Sequence, residues 1–242
     1  MNMSKPKTSV GDGIQTSNAA WSFGGDVAAH FDDHVSKSVP LYDEGHKLAC
    51  LISDYFVTEN SKCYELGCST GTLTDQLGNR HANKKGASFH GIDIELNMVE
   101  EAKKKRTAKN VSYSCEDILQ FEMEQADLIL AYCTIQFVRP KARQWLVDRI
   151  YQSMNWGGAF ILYEKVRACD ARFQDVMTGV YHEMKMENGY TGEEIIGKSR
   201  SLKGVLEPFS TDGNRDMLKR AGFEDVLTVM KHTCFEMFLA IK

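Results

Sequence analysis

The sequence has no C-x-x-C pair, although its 242 residues include seven cysteines, at positions 50, 63, 68, 115, 133, 169 and 234. An odd, scattered set argues against both a disulfide framework and a zinc knuckle, and fits a reducing cytosol. There is no apolar run long enough to span a bilayer, so a soluble chain without a membrane partner is expected. The opening MNMSKPKTSVGDGIQTSN lacks the apolar core of an export signal, and residues 1–18 are expected to be a disordered leader. Excess positive charge is also missing. A formal net charge of −4 gives no global attraction to nucleic acid, and the local run Lys103, Lys104, Lys105 and Arg106 reads as a solvated helix face. No internal repeat or low-complexity tract interrupts the chain.

What is present is an ordinary globular balance, 43% hydrophobic and 26% charged, with no break between two cores. One domain over residues 19–242 is therefore expected. Apolar positions at helical spacing on both sides of Pro40 predict two amino-terminal helices within residues 19–60, joined at SVP. An alternation follows. Strands are predicted near Lys62–Leu66, Ser88–Asp93, Val111–Cys115, Ala126–Tyr132 and Ala159–Glu164, separated by helical patterns such as LNMVEEAKKKR and PKARQWLVDRIYQSM. NWGG reads as a helix stop before the fifth strand. Alternating strands and helices imply an α/β fold, a doubly wound and mostly parallel sheet, completed here by a helix at NRDMLKRAGF and two last strands. The polar, helical stretch from about 168 to 208 breaks the alternation. An insertion there would sit over the carboxyl ends of the strands as a lid.

The stretch CYELGCSTGT packs an acid and two glycines between a strand and a helix. A dinucleotide fold would require G-x-G-x-x-G, whereas Gly67 and Gly71 are four apart with no glycine between them, which weakens a pyrophosphate reading. Instead, Glu65 closes the first strand, Asp93 the second, and Asp117 follows the third. A carboxylate at Asp93 could accept both hydroxyls of a ribose, Asp117 could accept from an adenine amino group, and the turn Gly67, Cys68, Ser69, Gly71 would let backbone approach a ligand without phosphates.

These acids after three successive strands resemble the class I S-adenosyl-L-methionine-dependent methyltransferases, whose sheet is Rossmann-like and seven-stranded. FGGDVAAHFDDHVSKSVPLY, YELGCSTGTLT, TIQFVRP, DRIYQSMNWGGAF, YEKV, MENGYTGEEI and LKRAGFE further resemble the carboxy-S-adenosylmethionine synthases. That resemblance covers nearly everything after the leader. It implies a homodimer that uses S-adenosyl-L-methionine and prephenate to make a carboxylated cofactor for tRNA wobble-uridine modification. It also implies a cofactor site lined by Tyr42, Gly67, Cys68, Ser69, Asp93, Ile94, Asp117 and Ile118. Two positions depart from the family pattern. Tyr132 stands where the family has asparagine, and Ser199 stands where it has the arginine that pairs with the extra carboxylate, with Arg200 one place later.

The expected function is methyl transfer from S-adenosyl-L-methionine to a small molecule, with carboxy-S-adenosylmethionine synthesis as the alternative. A cofactor-binding protein without transfer is disfavoured because all three acids remain. Methyl transfer needs chiefly positioning and exclusion of water. Tyr132 at the end of the fourth strand, and Tyr163 or Glu164 at the end of the fifth, are placed to meet an acceptor, although Tyr132 could equally contact adenine or fill the core. His182 in the lid could act as a base. Trp21 and Phe23 either close over the site or anchor the first helix, and Arg200 is the candidate lid cation. His30 and His34 in HFDDH could bind a metal with Asp32 or Asp33, but a surface helix face is the favoured reading and no metal is expected. Cys68 reads as a small packing residue rather than a nucleophile.

Overall fold

A computed structural model describes residues 7–12, 14–24 and 27–242 of the protein. The chain begins with two short strands, β1 (Thr8–Ser9) and β2 (Gln15–Thr16), followed by helices α1 (Val27–Ser38) and α2 (Tyr42–Ser53). The alternation then runs β3 (Lys62–Leu66), α3 (Thr72–Arg80), β4 (Ser88–Asp93), α4 (Leu96–Lys105), β5 (Val111–Cys115), β6 (Ala126–Tyr132), α5 (Pro140–Gln152) and β7 (Met154–Lys165). Helices α6 (Ala171–Glu187) and α7 (Gly192–Ser201) form the insertion, and α8 (Thr211–Ala221), β8 (Asp225–His232) and β9 (Phe235–Ile241) complete the fold.

Seven strands form one sheet in the order β5-β4-β3-β6-β7-β9-β8. The first five in that order are parallel, and β9 runs antiparallel to both of its neighbours. Strand periodicity splits the core between the two faces. In ADLILAY, Leu128, Leu130 and Tyr132 join the core beneath α1 to α4, while Ile129 and Ala131 join the core beneath α5 and α8. Both faces of β6 are thus buried, which is why this segment reads as a continuous apolar run. This is the doubly wound α/β architecture expected from the sequence.

Two local readings need correction. NWGG is not a turn ahead of the fifth strand: β7 starts at Met154, opposite Ala126, and the register jumps so that Ala159 pairs with Leu128. The extra residues bulge out, with Gly157 in the left-handed region at φ 79°. The expected leader is also more than a disordered tail. Residues 1–6 lie outside the described residues, but β1 and β2 form an antiparallel ribbon that packs on α7. Gly197 permits the approach, because a Cβ there would lie 2.8 Å from the Ser9 carbonyl oxygen. The following backbone is tied to the same helix, since Ala19 N–H and Trp21 N–H donate to the carbonyls of Arg200 and Ser201.

Candidate functional site

The strand order reverses between β3 and β6, and the crevice at such a switch point is where open α/β sheets bind ligands. Here the crevice opens into a cleft of about 1160 Å³ bounded by the carboxyl ends of the parallel strands, α1 and the insertion. Tight backbone geometry shapes its floor. Gly67 takes φ 75°, donates to the Ile92 carbonyl at 2.7 Å, and faces Thr134 so closely that a Cβ would lie 2.3 Å from the threonine oxygen. Only glycine fits both demands. Ser69 and Cys133 are non-glycine residues held at φ 48° and 56° on either side of this crevice.

Asp93 is locked by backbone donors, one oxygen accepting from Ser69 N–H at 2.8 Å and the other from Glu95 N–H at 2.9 Å. Burial pushes its carboxyl up, and those N–H bonds oppose the shift. Glu65 is buried and accepts from the Thr74 hydroxyl, and burial raises it to about 8. Asp117 accepts from Leu119 N–H at 2.9 Å. These three acids line one end of the cleft together with Tyr42, Gly67, Ser69, Ile94 and Ile118. Each carboxylate oxygen has lone pairs beyond the bonds described, so the acids remain acceptors for a ligand.

Five of the expected site residues do not line the cleft. Cys68 is buried behind the turn against Gly91, where it packs as expected of a small residue. Gly71 caps α3, and a Cβ there would lie 2.6 Å from the Tyr113 hydroxyl. Tyr163 is buried and donates to the Pro40 carbonyl at 2.7 Å. Arg200 points away from the cleft as an exposed side chain of α7, while Ser199 lines the cleft, as a one-residue rotation of roughly 100° on a helix dictates. Glu164 is likewise committed, for it accepts from the N–H groups of Thr134, Ile135 and Gln136 and caps a short 3-10 turn.

Tyr132 lines the cleft but donates its hydroxyl to the Tyr42 carbonyl at 2.8 Å, and burial pushes its ionisation far up. It is a packing group between Tyr42, His46 and Tyr163. His182 lines the cleft half-buried, and burial, then the charges of Lys185 and Lys165, hold it below the usual imidazole range. Trp21 lines the cleft too, stacked on His34 at 5.7 Å, with a buried indole N–H that has no partner among the described residues. Phe23 packs edge-on against Trp21 and Phe137. His34 is buried and His30 is exposed, so the two differ in environment despite their spacing. Among the described residues, no group of three His, Cys, Asp or Glu side chains is placed to hold a metal.

The sequence reading missed three lysines. Lys165 at the end of β7, Lys185 on α6 and Lys198 on α7 all face the cleft. Among the described residues no carboxylate pairs with any of them; Lys165 and Lys185 sit over the Tyr181 ring at 4.4 and 4.5 Å. Burial lowers all three, and the neighbouring charge of Lys165 helps bring Lys185 to about 7. Their signal in sequence was positional only: Lys165 follows the end of a predicted strand, and Lys185 lies three residues after His182.

The methyltransferase-domain family matches residues 64–158, which span β3 to the bulge of β7. A carboxy-S-adenosyl-L-methionine synthase of Staphylococcus epidermidis is 38% identical over 92% of this chain and 97% of its own length. The synthase of Campylobacter lari is 34% identical over 92% of this chain and 94% of its own. The chain belongs to the carboxy-S-adenosyl-L-methionine synthase family. It is accordingly an S-adenosyl-L-methionine-dependent enzyme built on a methyltransferase domain, as its acids and glycine turn led one to expect. Solved structures agree on the fold. An O-methyltransferase family protein from Burkholderia thailandensis superposes with a TM-score of 0.63 at 15% identity, covering 89% of this chain and 59% of its own. Human N-acetylserotonin methyltransferase, solved with S-adenosylmethionine, gives 0.57 at 18%, covering 84% and 52%. No helix among the described residues is long and apolar enough to cross a membrane.

Proposed function

We propose that the enzyme transfers a methyl group from S-adenosyl-L-methionine to a small anionic acceptor. Three lysines facing the cleft with no carboxylate paired to them among the described residues carry this reading, because buried cations outside an ion pair are costly and a negatively charged ligand would relieve the cost. Asp93 would accept the ribose hydroxyls, Asp117 the adenine amino group, and the Gly67 to Ser69 turn would bring backbone against the amino-acid portion, with Tyr42, Ile94 and Ile118 as apolar walls. The cofactor supplies an electrophilic methyl on a sulfonium. The chain's part is to align the acceptor, keep water out with Trp21, Phe23 and the lid, and, for an acceptor that must lose a proton, to take it at His182. The depressed pKa of His182 keeps its ring neutral and able to accept at pH 7.

A second reading is synthesis of carboxy-S-adenosyl-L-methionine, the product in the relatives' name. The same lysines favour it, since Lys198 adjoins Ser199 and could take over the charge that the family places there as arginine. Mass spectrometry of the small molecule released when purified protein is denatured separates the two. S-adenosylmethionine or S-adenosylhomocysteine alone supports methyl transfer, whereas the carboxylated cofactor would replace that reading with the second.

The protein is further proposed to be a cytoplasmic homodimer that does not bind nucleic acid directly. All seven cysteines are free, which suits a reducing compartment. Lys104 and Lys105 pair with Glu101, and Lys105 also with Asp32, so the basic run is partly neutralised. Phe173, Val176 and Val180 are exposed at helical spacing on α6, a stripe suited to a second copy. Light scattering on the purified protein tests the dimer.

A further inference from the structure

The amino-terminal ribbon reaches the lid through a chain of hydrogen bonds that is buried at its Lys198 end. One oxygen of Asp12 accepts from His34 Nδ1 at 2.7 Å and from the Tyr190 hydroxyl at 2.8 Å, and the other binds Lys37 Nζ at 2.8 Å. A carboxylate can only accept, so the imidazole proton sits on Nδ1 and leaves Nε2 bare. Nε2 takes a hydrogen bond from Lys198 Nζ, which also donates to Ser38 Oγ at 3.0 Å. An ammonium has three N–H groups. Two of them are now assigned, and Lys198 borders the cleft. Trp21 covers the chain, stacked on His34, with Lys198 Nζ 5.0 Å from its ring centre.

We infer that Asp12 and His34 are positioning residues that hold the Lys198 ammonium with its third N–H free for the acceptor. This rests on the lysines binding an anionic acceptor, and it extends that reading by making residues ahead of the methyltransferase core part of the site. Charged and titratable groups face Lys198 from every side: Asp12 on the ribbon, His34 on α1, Lys185 on α6, Tyr190 beyond it and Lys165 on β7, while Lys37 faces Asp12. Asp12 is the negative charge among them. It accordingly favours the protonated lysine against burial and against Lys185 and Lys165. Burial and the charge of Lys198 hold His34 near 4, so the ring stays neutral and its Nε2 stays an acceptor at pH 7. Burial pushes Asp12 up, but hydrogen bonds from Lys37, Tyr190 and His34 outweigh it and keep the carboxylate ionised.

The test reads Lys198 itself. Trace labelling with acetic anhydride across a pH series, followed by peptide mass spectrometry, gives the titration midpoint of this one amine in the full-length protein. Asp12→Asn and His34→Leu are expected to move the midpoint to lower pH, by about one unit or tenfold in proton affinity, as the ammonium loses its counter-charge or its acceptor. His34→Gln, which restores an acceptor near Nε2, should return it to the wild-type position. A ribbon that only anchors the lid would leave the curves superimposed, or move them to higher pH as the lid loosens and water enters, and either result overturns the assignment. A second arm uses malonate as an anionic probe in calorimetry: Asp12→Asn should weaken malonate about tenfold and leave S-adenosylmethionine affinity unchanged. Wild-type protein that ignores malonate while the labelling midpoints shift as expected would overturn the anionic acceptor but not the positioning chain.

Discussion

The two ends of the cleft are built on opposite principles. Along the strand ends in sheet order stand Asp117, Asp93, Glu65, Tyr132 and Lys165, so one edge passes from acid to base. At the acidic end the groups are satisfied: Asp93, Glu65 and Asp117 accept from backbone or hydroxyl donors of the fold itself. At the basic end the Lys165 and Lys185 side chains lie over aromatic rings, Tyr181 for both and Phe235 also for Lys165. The acidic end is organised by donors of the fold itself, whereas among the described residues no carboxylate pairs with Lys165 or Lys185 at the basic end. On the proposed reading the acidic end takes the cofactor and the basic end the co-substrate, with Tyr132 between them.

The largest effect should come from breaking the organised end. Gly67→Ala introduces a Cβ against Thr134 at a left-handed φ, and is expected to destabilise the fold by about 3 kcal/mol and to abolish S-adenosylmethionine binding, measured by denaturant unfolding and calorimetry. Lys185→Met tests the other end, where the signs separate. Removing an unpaired buried cation should stabilise the free protein by about 1 kcal/mol, while affinity for an anionic co-substrate falls roughly 30-fold, about 2 kcal/mol. A Lys185→Met protein less stable than wild type would mean that the ammonium is already compensated, and the contrast between the two ends would fail.

Asp93→Ala is the milder change at the organised end. It is expected to weaken S-adenosylmethionine by at least tenfold, about 1.4 kcal/mol, through loss of the ribose contacts. It should leave binding of an anionic probe at the lysines unaffected. Unchanged cofactor affinity in calorimetry would move the ribose away from Asp93.

The organised end was legible in the sequence because its chemistry is local. Glu65, Gly67 and Ser69 lie within one strand and turn, Asp93 closes the next strand and Asp117 follows the one after, so the order of strands alone brought them to one edge. The basic end was not legible in the same way. Lys165, Lys185 and Lys198 come from a strand and two lid helices, and in a single sequence each looks like any surface lysine. Asp12 is remoter still, in a stretch whose polarity read as a leader. It is ordered by partners on α1 and beyond α6 that composition does not reveal. Tyr163 and Glu164 failed for the converse reason: strand-end position was right, but Pro40 and the turn after β6 had already claimed their polar atoms.

The same contrast predicts opposite responses to pH. Burial raises Glu65 from 4.5 to about 8, so between those values the folded state keeps a proton that the unfolded state has released. Its contribution to stability is full below pH 4.5 and is lost as pH rises toward 8. Glu164 acts in the same window and the same direction. Burial and the charge of Lys165 lower Lys185 from 10.5 to about 7, so there it is the unfolded state that binds the extra proton. Its contribution is full above pH 10.5 and is lost as pH falls toward 7. Urea unfolding across pH should therefore show Glu65→Gln flattening the acid-side slope alone, and Lys185→Met flattening the alkaline-side slope alone. Variants that both keep the wild-type profile would show that neither end carries its charge as buried, whereas the paired result ties each end's polarity to its own stability.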